Sequence, residues 1–158
     1  MEDIRRFSSN APWEPMFGYA RAVRAGDWLL ISGTTAFDAQ GVVVGRGQMY
    51  AQARQAIENI ETVLERAGMA LSNVVRTRIF LTEIGDFEAV ARAHREAFGA
   101  NPPAATVVEV RRLVHPDIMI EIEADAYARI DGGDGRKPGR ARSAARTKPK
   151  AKRSRATS

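Results

Sequence analysis

The sequence contains no cysteine, which excludes disulfides, thiolate metal sites and cysteine nucleophiles. Its four lysines all lie between residues 137 and 152, so residues 1–130 hold no lysine for a Schiff base or a phosphate-binding loop. Only two histidines are present, His94 and His115. Because they are far apart in the sequence, they make a poor metal site.

Long hydrophobic runs are also absent. No apolar stretch approaches the ~20 residues that a membrane-spanning helix requires. The N-terminus carries Glu2 and Asp3, where a secretory signal would be basic. The 158 residues are 44% apolar and 27% charged, which is typical of one ordinary globular domain. We therefore expect a soluble cytoplasmic protein without a membrane partner.

The net charge of +5 is unevenly distributed. Residues 131–158 carry ten Lys/Arg against two Asp, whereas residues 1–130 carry 14 Arg against 17 Asp/Glu. The last 28 residues also lack large apolar side chains, so the sequence predicts a folded domain over 1–130 and a disordered basic tail over 131–158. Such a tail is either a partnerless extension or a non-specific contact for nucleic acid, and the two alternatives stay open.

Hydrophobic periodicity places seven elements in the first 130 residues. Gly68 is expected to end the first helix and Asp86 to cap the second. The last strand buries alternate residues from Ile118 to Ala128 and lines its other face with Glu121, Glu123 and Asp125. The predicted order is strand 20–24, strand 28–32, helix 48–67, strand 74–82, helix 87–98, strand 105–110 and strand 118–128. This pattern predicts an α+β fold, a single mixed sheet with both helices on one face.

Six collinear stretches resemble the RidA/YjgF family of reactive-intermediate deaminase-like proteins, whose members also carry the name endoribonuclease L-PSP. The resemblance covers about residues 5–128. The stretches are Gly18-Tyr19, Leu30-Ile-Ser-Gly-Thr-Thr-Ala36, Gln55-Ala-Ile-Glu-Asn-Ile-Glu61 with Ala67-Gly68, Val75-Arg-Thr-Arg-Ile-Phe-Leu-Thr82, Pro103-Ala104 with Val108-Glu-Val110, and Ile120-Glu-Ile-Glu-Ala124.

The resemblance implies a chorismate-mutase-like fold that assembles as a homotrimer, with the sheets meeting in a central barrel. It implies ligand sites between adjacent subunits. The implied activity is hydrolysis of enamine and imine intermediates to a keto acid and ammonia, with no metal or organic cofactor. The implied ligand is a small keto or imino acid.

The resemblance also assigns site residues. Tyr19 and Ser32 match the family's substrate-pocket tyrosine and serine, and Glu121 matches the glutamate that orients or activates water. Ala105 stands where the family's deaminases carry an arginine that grips the substrate carboxylate. Alanine offers neither charge nor hydrogen bond, and loss of such a two-pronged contact typically costs several kcal/mol of binding.

The residues themselves leave several alternatives open. Glu121 is either a solvated strand carboxylate or a proton acceptor whose pKa rises in a partly desolvated cleft. Arg78 either pairs with a strand carboxylate such as Glu121 or Glu123, or replaces the missing arginine as a substrate-binding group. Ser32 has no base near it in the sequence, so we interpret it as a hydrogen-bonding group rather than a nucleophile.

Two functions of different class follow. The first is a cofactor-independent imine or enamine deaminase, in which Glu121 positions water and Tyr19 and Ser32 bind the substrate. The second is a non-catalytic ligand-binding or protein-protective trimer. RNA cleavage, which has been linked to family members, ranks third because nothing in the sequence resembles the acid–base pair of a ribonuclease.

Overall fold

A computed structural model describes residues 4–129, and the predicted disordered tail lies outside the described residues. Within this range the chain forms six strands and three α-helices, with 3-10 turns at Leu71–Asn73 and Ile84–Asp86. The elements are β1 (Ile4–Phe7), α1 (Trp13–Phe17), β2 (Ala22–Ala25), β3 (Trp28–Thr34), α2 (Met49–Arg66), β4 (Val74–Leu81), α3 (Phe87–Phe98), β5 (Ala104–Glu109) and β6 (Ile120–Tyr127).

The strands form one sheet in the order β1-β2-β3-β6-β4-β5. All neighbouring strands are antiparallel except β4 and β5, which are parallel because α3 carries the chain back across the sheet between them. The helices α2 and α3 pack over the apolar face of the sheet and bury the core between them. The predicted α+β class, with a single mixed sheet and two main helices, is confirmed.

Strand β6 shows most clearly how the sequence separates the two faces of the sheet. Its even-numbered residues from Ile120 to Ala126 are at most 1% exposed and belong to the core. Its odd-numbered residues, Glu121, Glu123, Asp125 and Tyr127, lie on the face that carries no helix, because successive side chains of a strand point to opposite sides. The structure therefore presents three carboxylates on the uncovered face.

The two predicted helix signals have different outcomes. Gly68 adopts a left-handed conformation with φ of 73°. The Gly68 and Met69 amides donate to the carbonyls of Glu65 and Leu64, at 2.9 and 2.8 Å, which closes α2 in a Schellman motif as expected. Asp86 occupies the N-cap position of α3, but its side chain makes no capping hydrogen bond, so that prediction is wrong. The Glu83 side chain instead accepts from the Gly85 amide and caps the preceding 3-10 turn.

Two elements near the N-terminus have no counterpart in the sequence-based prediction. Strand β1 extends the sheet beside β2, and α1 is a five-residue helix that ends at Gly18 with φ of 78°. Both are too short for hydrophobic periodicity to reveal them. Their position matters because α1 leads directly into Tyr19.

One buried polar side chain fixes the approach of the chain to β6. Gln52 on α2 is fully buried. Its Oε1 accepts from the Met119 amide at 2.8 Å, and its Nε2 donates to the carbonyls of Asp117 at 2.7 Å and Gly45 at 3.3 Å. Because residues 117–119 lead into β6, Gln52 sets the position at which the carboxylate-bearing strand begins.

We expect Gln52→Leu to lower the free energy of unfolding by about 2–4 kcal/mol, because the Met119 amide and the Asp117 carbonyl would lose their partners in a buried setting. Urea unfolding at fixed protein concentration measures the change. Gln55→Leu on the same helix is the matched control, since Gln55 is only partly buried and bonds Asn59. Equal losses in the two variants would contradict this role of Gln52.

Candidate functional site

A β-bulge shapes the centre of the candidate site. Strands β3 and β6 pair regularly as far as Ile31 opposite Ala124, and pairing resumes at Thr34 opposite Ile122. Three steps along β3 therefore face two steps along β6, and the register shifts at Ser32 and Gly33. Bulges of this kind bend a strand and change the direction of its side chains.

The carboxylate of Glu121 lies directly on Gly33. A Cβ atom added to Gly33 would lie 1.8 Å from Oε1 of Glu121 and 2.8 Å from its Cδ. Any residue other than glycine would therefore displace the carboxylate from this position. The absence of a side chain at residue 33 creates the space that Glu121 occupies.

Glu121 is about half-buried and lacks a side-chain partner. Among residues 4–129 no group donates a hydrogen bond to its carboxylate and no arginine forms an ion pair with it. Burial raises the pKa of Glu121, the neighbouring Glu123 raises it further, and Arg21 opposes the rise. Glu121 thus combines a raised pKa with a free carboxylate, as a proton acceptor requires.

Tyr19 and Arg21 lie beside this carboxylate. The Arg21 guanidinium carbon is 5.5 Å from the centre of the Tyr19 ring, and its Nη2 donates to the Gly33 carbonyl at 2.6 Å. Burial raises the pKa of Tyr19, Arg21 lowers it, and Glu14 and Glu121 add to the rise. The charges of Arg21 and Glu121 act on each other and on the Tyr19 phenol, and Gly33 contacts both charged groups. We call these four residues the Glu121 site.

Glu14 supports this group from α1. Its buried carboxylate accepts from the Ser9 amide at 2.8 Å, from the Ser9 hydroxyl at 2.5 Å and from the Ser8 hydroxyl. Burial would raise the pKa of Glu14, but these hydrogen bonds and Arg21 lower it, so the group is ionised at neutral pH. The segment that precedes Tyr19 is thereby fastened to the N-terminal strand.

An open cavity of about 590 Å³ borders Tyr19. Its lining combines charged and apolar groups: Arg6, Glu14, Pro15, Gly18, Tyr19, Ala20 and Val23. Tyr19 therefore borders a space large enough for a small metabolite, although Glu121, Arg21 and Ser32 do not line it in one chain.

The hydroxyl of Ser32 serves the backbone. It donates to the Ala20 carbonyl at 2.8 Å, while the Ser32 amide donates to the Arg21 carbonyl at 3.1 Å. Ser32 thus ties the segment of Tyr19 and Arg21 to β3. Its Oγ keeps lone pairs with which it can accept from a ligand.

Arg78 lies on the same sheet face as Glu121 but pairs elsewhere. Its guanidinium is 3.4 Å from Glu123 and 3.2 Å from Asp125. Cross-strand pairing explains both contacts, since Arg78 stands opposite Glu123 in the β4–β6 register. The ion-pair alternative therefore describes Arg78 in this structure, with Glu123 and Asp125 as the partners.

Ala105 lies on the opposite face of the sheet from Glu121. It pairs with Thr77 in the β4–β5 register, and it lines a cleft of about 190 Å³ between β5 and α3. The lining is almost entirely apolar apart from two side chains of α3, and it comprises Ile79, Phe87, Val90, Ala91, His94, Arg95, Ala105 and Val107. Within one chain, the structure brings Tyr19, Ser32 and Glu121 together and leaves Ala105 apart.

Sequence reasoning did not select Arg21 or Glu14. Arg21 lies in the predicted strand 20–24, which the structure shortens and shifts to Ala22–Ala25, and Glu14 lies in an unpredicted helix, so neither had a pattern that distinguished it from a surface charge. A usable signal was the spacing of Arg21, two residues after the candidate Tyr19. In an extended segment residues two apart point to the same side.

No helix among residues 4–129 is long and apolar enough to cross a membrane. No three side chains of His, Asp or Glu converge there to hold a metal ion.

Comparison with known proteins identifies close relatives. The profile of the family described as endoribonuclease L-PSP matches residues 8–128. A RutC family protein of Pyrococcus horikoshii is 39% identical over 121 residues, which cover 77% of this chain and 94% of that protein. An uncharacterised Streptomyces coelicolor protein is 36% identical over 126 residues, which cover 80% and 93% of the two chains.

Solved structures agree. A Mycobacterium tuberculosis member of the YjgF/YER057c/UK114 family superimposes with a TM-score of 0.73 at 39% identity, over 80% of this chain and 100% of that chain. The Escherichia coli YjgF gene product gives a TM-score of 0.69 at 32% identity, over 78% and 97% of the two chains. The resemblance that the six sequence stretches indicate is thus confirmed: this chain belongs to the endoribonuclease L-PSP family, the RidA/YjgF proteins.

Proposed function

We propose that this protein hydrolyses small enamine or imine metabolites to a keto compound and ammonia, at sites completed by a second copy of the chain. The observation that carries the proposal is the state of Glu121. Its carboxylate is half-buried, has a raised pKa and has no side-chain partner among residues 4–129, yet it lies near Tyr19 and Arg21. A partly desolvated, unpaired carboxylate is unfavourable for stability, which is typical of a functional group.

The reaction needs only water and a proton acceptor. With a protonated imine, Glu121 takes a proton from a water molecule while the water oxygen bonds to the imine carbon and the C=N π electrons move to nitrogen, which gives a neutral carbinolamine. Glu121 then passes that proton to the nitrogen, the C–N bond breaks as the C=O bond forms, ammonia leaves, and the hydroxyl proton returns to the Glu121 carboxylate and from there to solvent. Tyr19 lines the cavity and donates a hydrogen bond to the substrate, whereas Ser32 accepts one and holds the Tyr19 segment in place.

The helix-free face of the sheet supports an assembly. Trp28 and Leu30 of β3 and Val108 of β5 are exposed on this face, at 45%, 47% and 41%. Such a face is costly to leave in water, and a trimer in which three sheets meet would cover it. The same assembly accounts for the separation of Ala105 from Glu121, since one chain would contribute its Glu121 site and the next its Ala105 cleft.

A non-catalytic ligand-binding role is the second candidate, and one observation favours it. The cleft at Ala105 is apolar where an arginine would hold a substrate carboxylate. A site without an arginine at this position holds the substrate carboxylate less firmly, so it orients the substrate less well for reaction. Such a site can still bind a ligand.

Release of keto acid in the presence of an imine-generating amino-acid oxidase separates the two candidates. We expect the wild-type protein to accelerate release, and we expect Glu121→Gln to reduce the acceleration by about 10²–10⁴-fold, the usual contribution of a proton acceptor. Glu123→Gln is the matched control, because Glu123 pairs with Arg78. An inactive wild-type protein that still binds keto acid would favour the ligand-binding role.

The pH dependence of this activity tests the carboxylate itself. Proton acceptance requires ionised Glu121, so activity should fall as pH drops through the raised pKa of Glu121, above the ordinary value for a carboxyl group. In Gly33→Ala the added methyl group displaces the carboxylate toward solvent. The activity that remains should then be lost at lower pH than in the wild type. An identical acid limb in both proteins would show that another group titrates.

Light scattering tests the assembly. We expect a trimer at micromolar concentration, and we expect Leu30→Lys to dissociate it by burying a charge in the interface. Val42→Lys is the control, because Val42 is similarly exposed but lies in the loop between β3 and α2. A monomeric wild-type protein would refute both the trimer and the shared site.

A further inference from the structure

Arg21 is a cation that the fold places in a half-buried setting without an anion to match it. Among residues 4–129 its guanidinium makes one hydrogen bond, from Nη2 to the Gly33 carbonyl, and no ion pair. Its Nε is fully buried and has no acceptor. A guanidinium has five N–H donors, so most of its hydrogen-bonding capacity is unused.

Buried donors in native proteins are nearly always paired, and an exception requires an explanation. Two carboxylates, Glu14 and Glu121, act electrostatically on Arg21, but neither of them pairs with its free donors. Glu14 accepts its hydrogen bonds from Ser8 and Ser9, and Glu121 forms no ion pair with Arg21. Arg21 therefore feels the charge of both carboxylates, but among residues 4–129 neither of them accepts a hydrogen bond from its guanidinium.

Two other arginines, Arg78 and Arg95, are less suited to hold an anion there. Arg78 already pairs with Glu123 and Asp125. Arg95 is exposed and borders the Ala105 cleft, on the opposite side of the sheet from Glu121. Arg21 alone among these three combines burial, unused donors and proximity to Glu121.

We propose that Arg21 is the anion-binding residue of the Glu121 site. It holds the ligand carboxylate, which the family's deaminases hold with an arginine at the position that Ala105 occupies in this chain. The Gly33 carbonyl fixes one end of the guanidinium and the Tyr19 ring lies against it, so the remaining donors are held in a fixed direction. An anion that binds there supplies the missing charge partner, and partial desolvation strengthens the contact. The ligand is a small monocarboxylate whose reactive carbon lies toward Glu121.

This inference takes its ligand class from the proposed function, but binding tests it without turnover. The probes are 2-oxobutanoate and its uncharged amide, with calorimetric titration of the full-length protein. We expect the wild type to prefer the acid by tenfold or more. Arg21→Gln should remove the preference, and Arg21→Lys should keep part of it, because an ammonium retains the charge but lacks the planar fork.

Two further variants locate the effect. Arg54→Gln is the control, since Arg54 is an exposed arginine of α2 that pairs with Glu58. Arg78→Gln tests the alternative arginine, and we expect both variants to retain the preference for the acid. An unchanged preference in Arg21→Gln, its loss in Arg78→Gln, or a wild type that binds acid and amide equally would overturn the proposal.

A measurement on the wild type covers the case in which Arg21→Gln does not fold. The buried Nε–H of Arg21 gives its own NMR signal in arginine-labelled protein, and Arg21→Lys identifies that signal by its loss. We expect 2-oxobutanoate, but not the amide, to shift it. A signal that does not respond to saturating acid would refute the proposal, whereas binding with a shifted signal but no imine hydrolysis would refute only the catalytic function.

Discussion

The candidate site depends on the contact between the Glu121 carboxylate and the backbone of Gly33. The bulge between β3 and β6 places a residue without a side chain where the carboxylate lies, and a larger residue there would displace the carboxylate. The same glycine accepts a hydrogen bond from Arg21 through its carbonyl group. Gly33 thus holds the Glu121 carboxylate and the Arg21 guanidinium near each other, although the two groups form no ion pair.

The charged groups of the site and the side chains that hold it in place have opposite effects on the stability of the fold. Glu121 and Arg21 are partly desolvated and form no ion pair within the part of the chain that the structure describes, so they oppose folding at neutral pH. Glu14, Ser32 and Gln52 act in the opposite sense, because each satisfies backbone or hydroxyl groups that fix the segments carrying the site.

The two faces of the sheet divide the remaining tasks. The helix-covered face supplies the core and, at its β5 edge, the apolar cleft with Ala105. The uncovered face supplies Glu121 together with the Arg78, Glu123 and Asp125 ion pairs. A ligand site that used both Glu121 and the cleft would need two chains, which is the physical basis for linking assembly to function.

The amino-acid sequence by itself determined the α+β class, the single sheet, both main helices and the alternation that brings Glu121 to the uncovered face. Hydrophobic spacing encodes these features locally, and the six collinear stretches identified the family. Tertiary structure alone decided that Arg78 pairs with Glu123 and Asp125, that Ser32 bonds the backbone, and that Arg21 lies beside Glu121. These outcomes depend on strand register and on a bulge, which join residues between 12 and 100 positions apart and leave no periodic pattern in the chain.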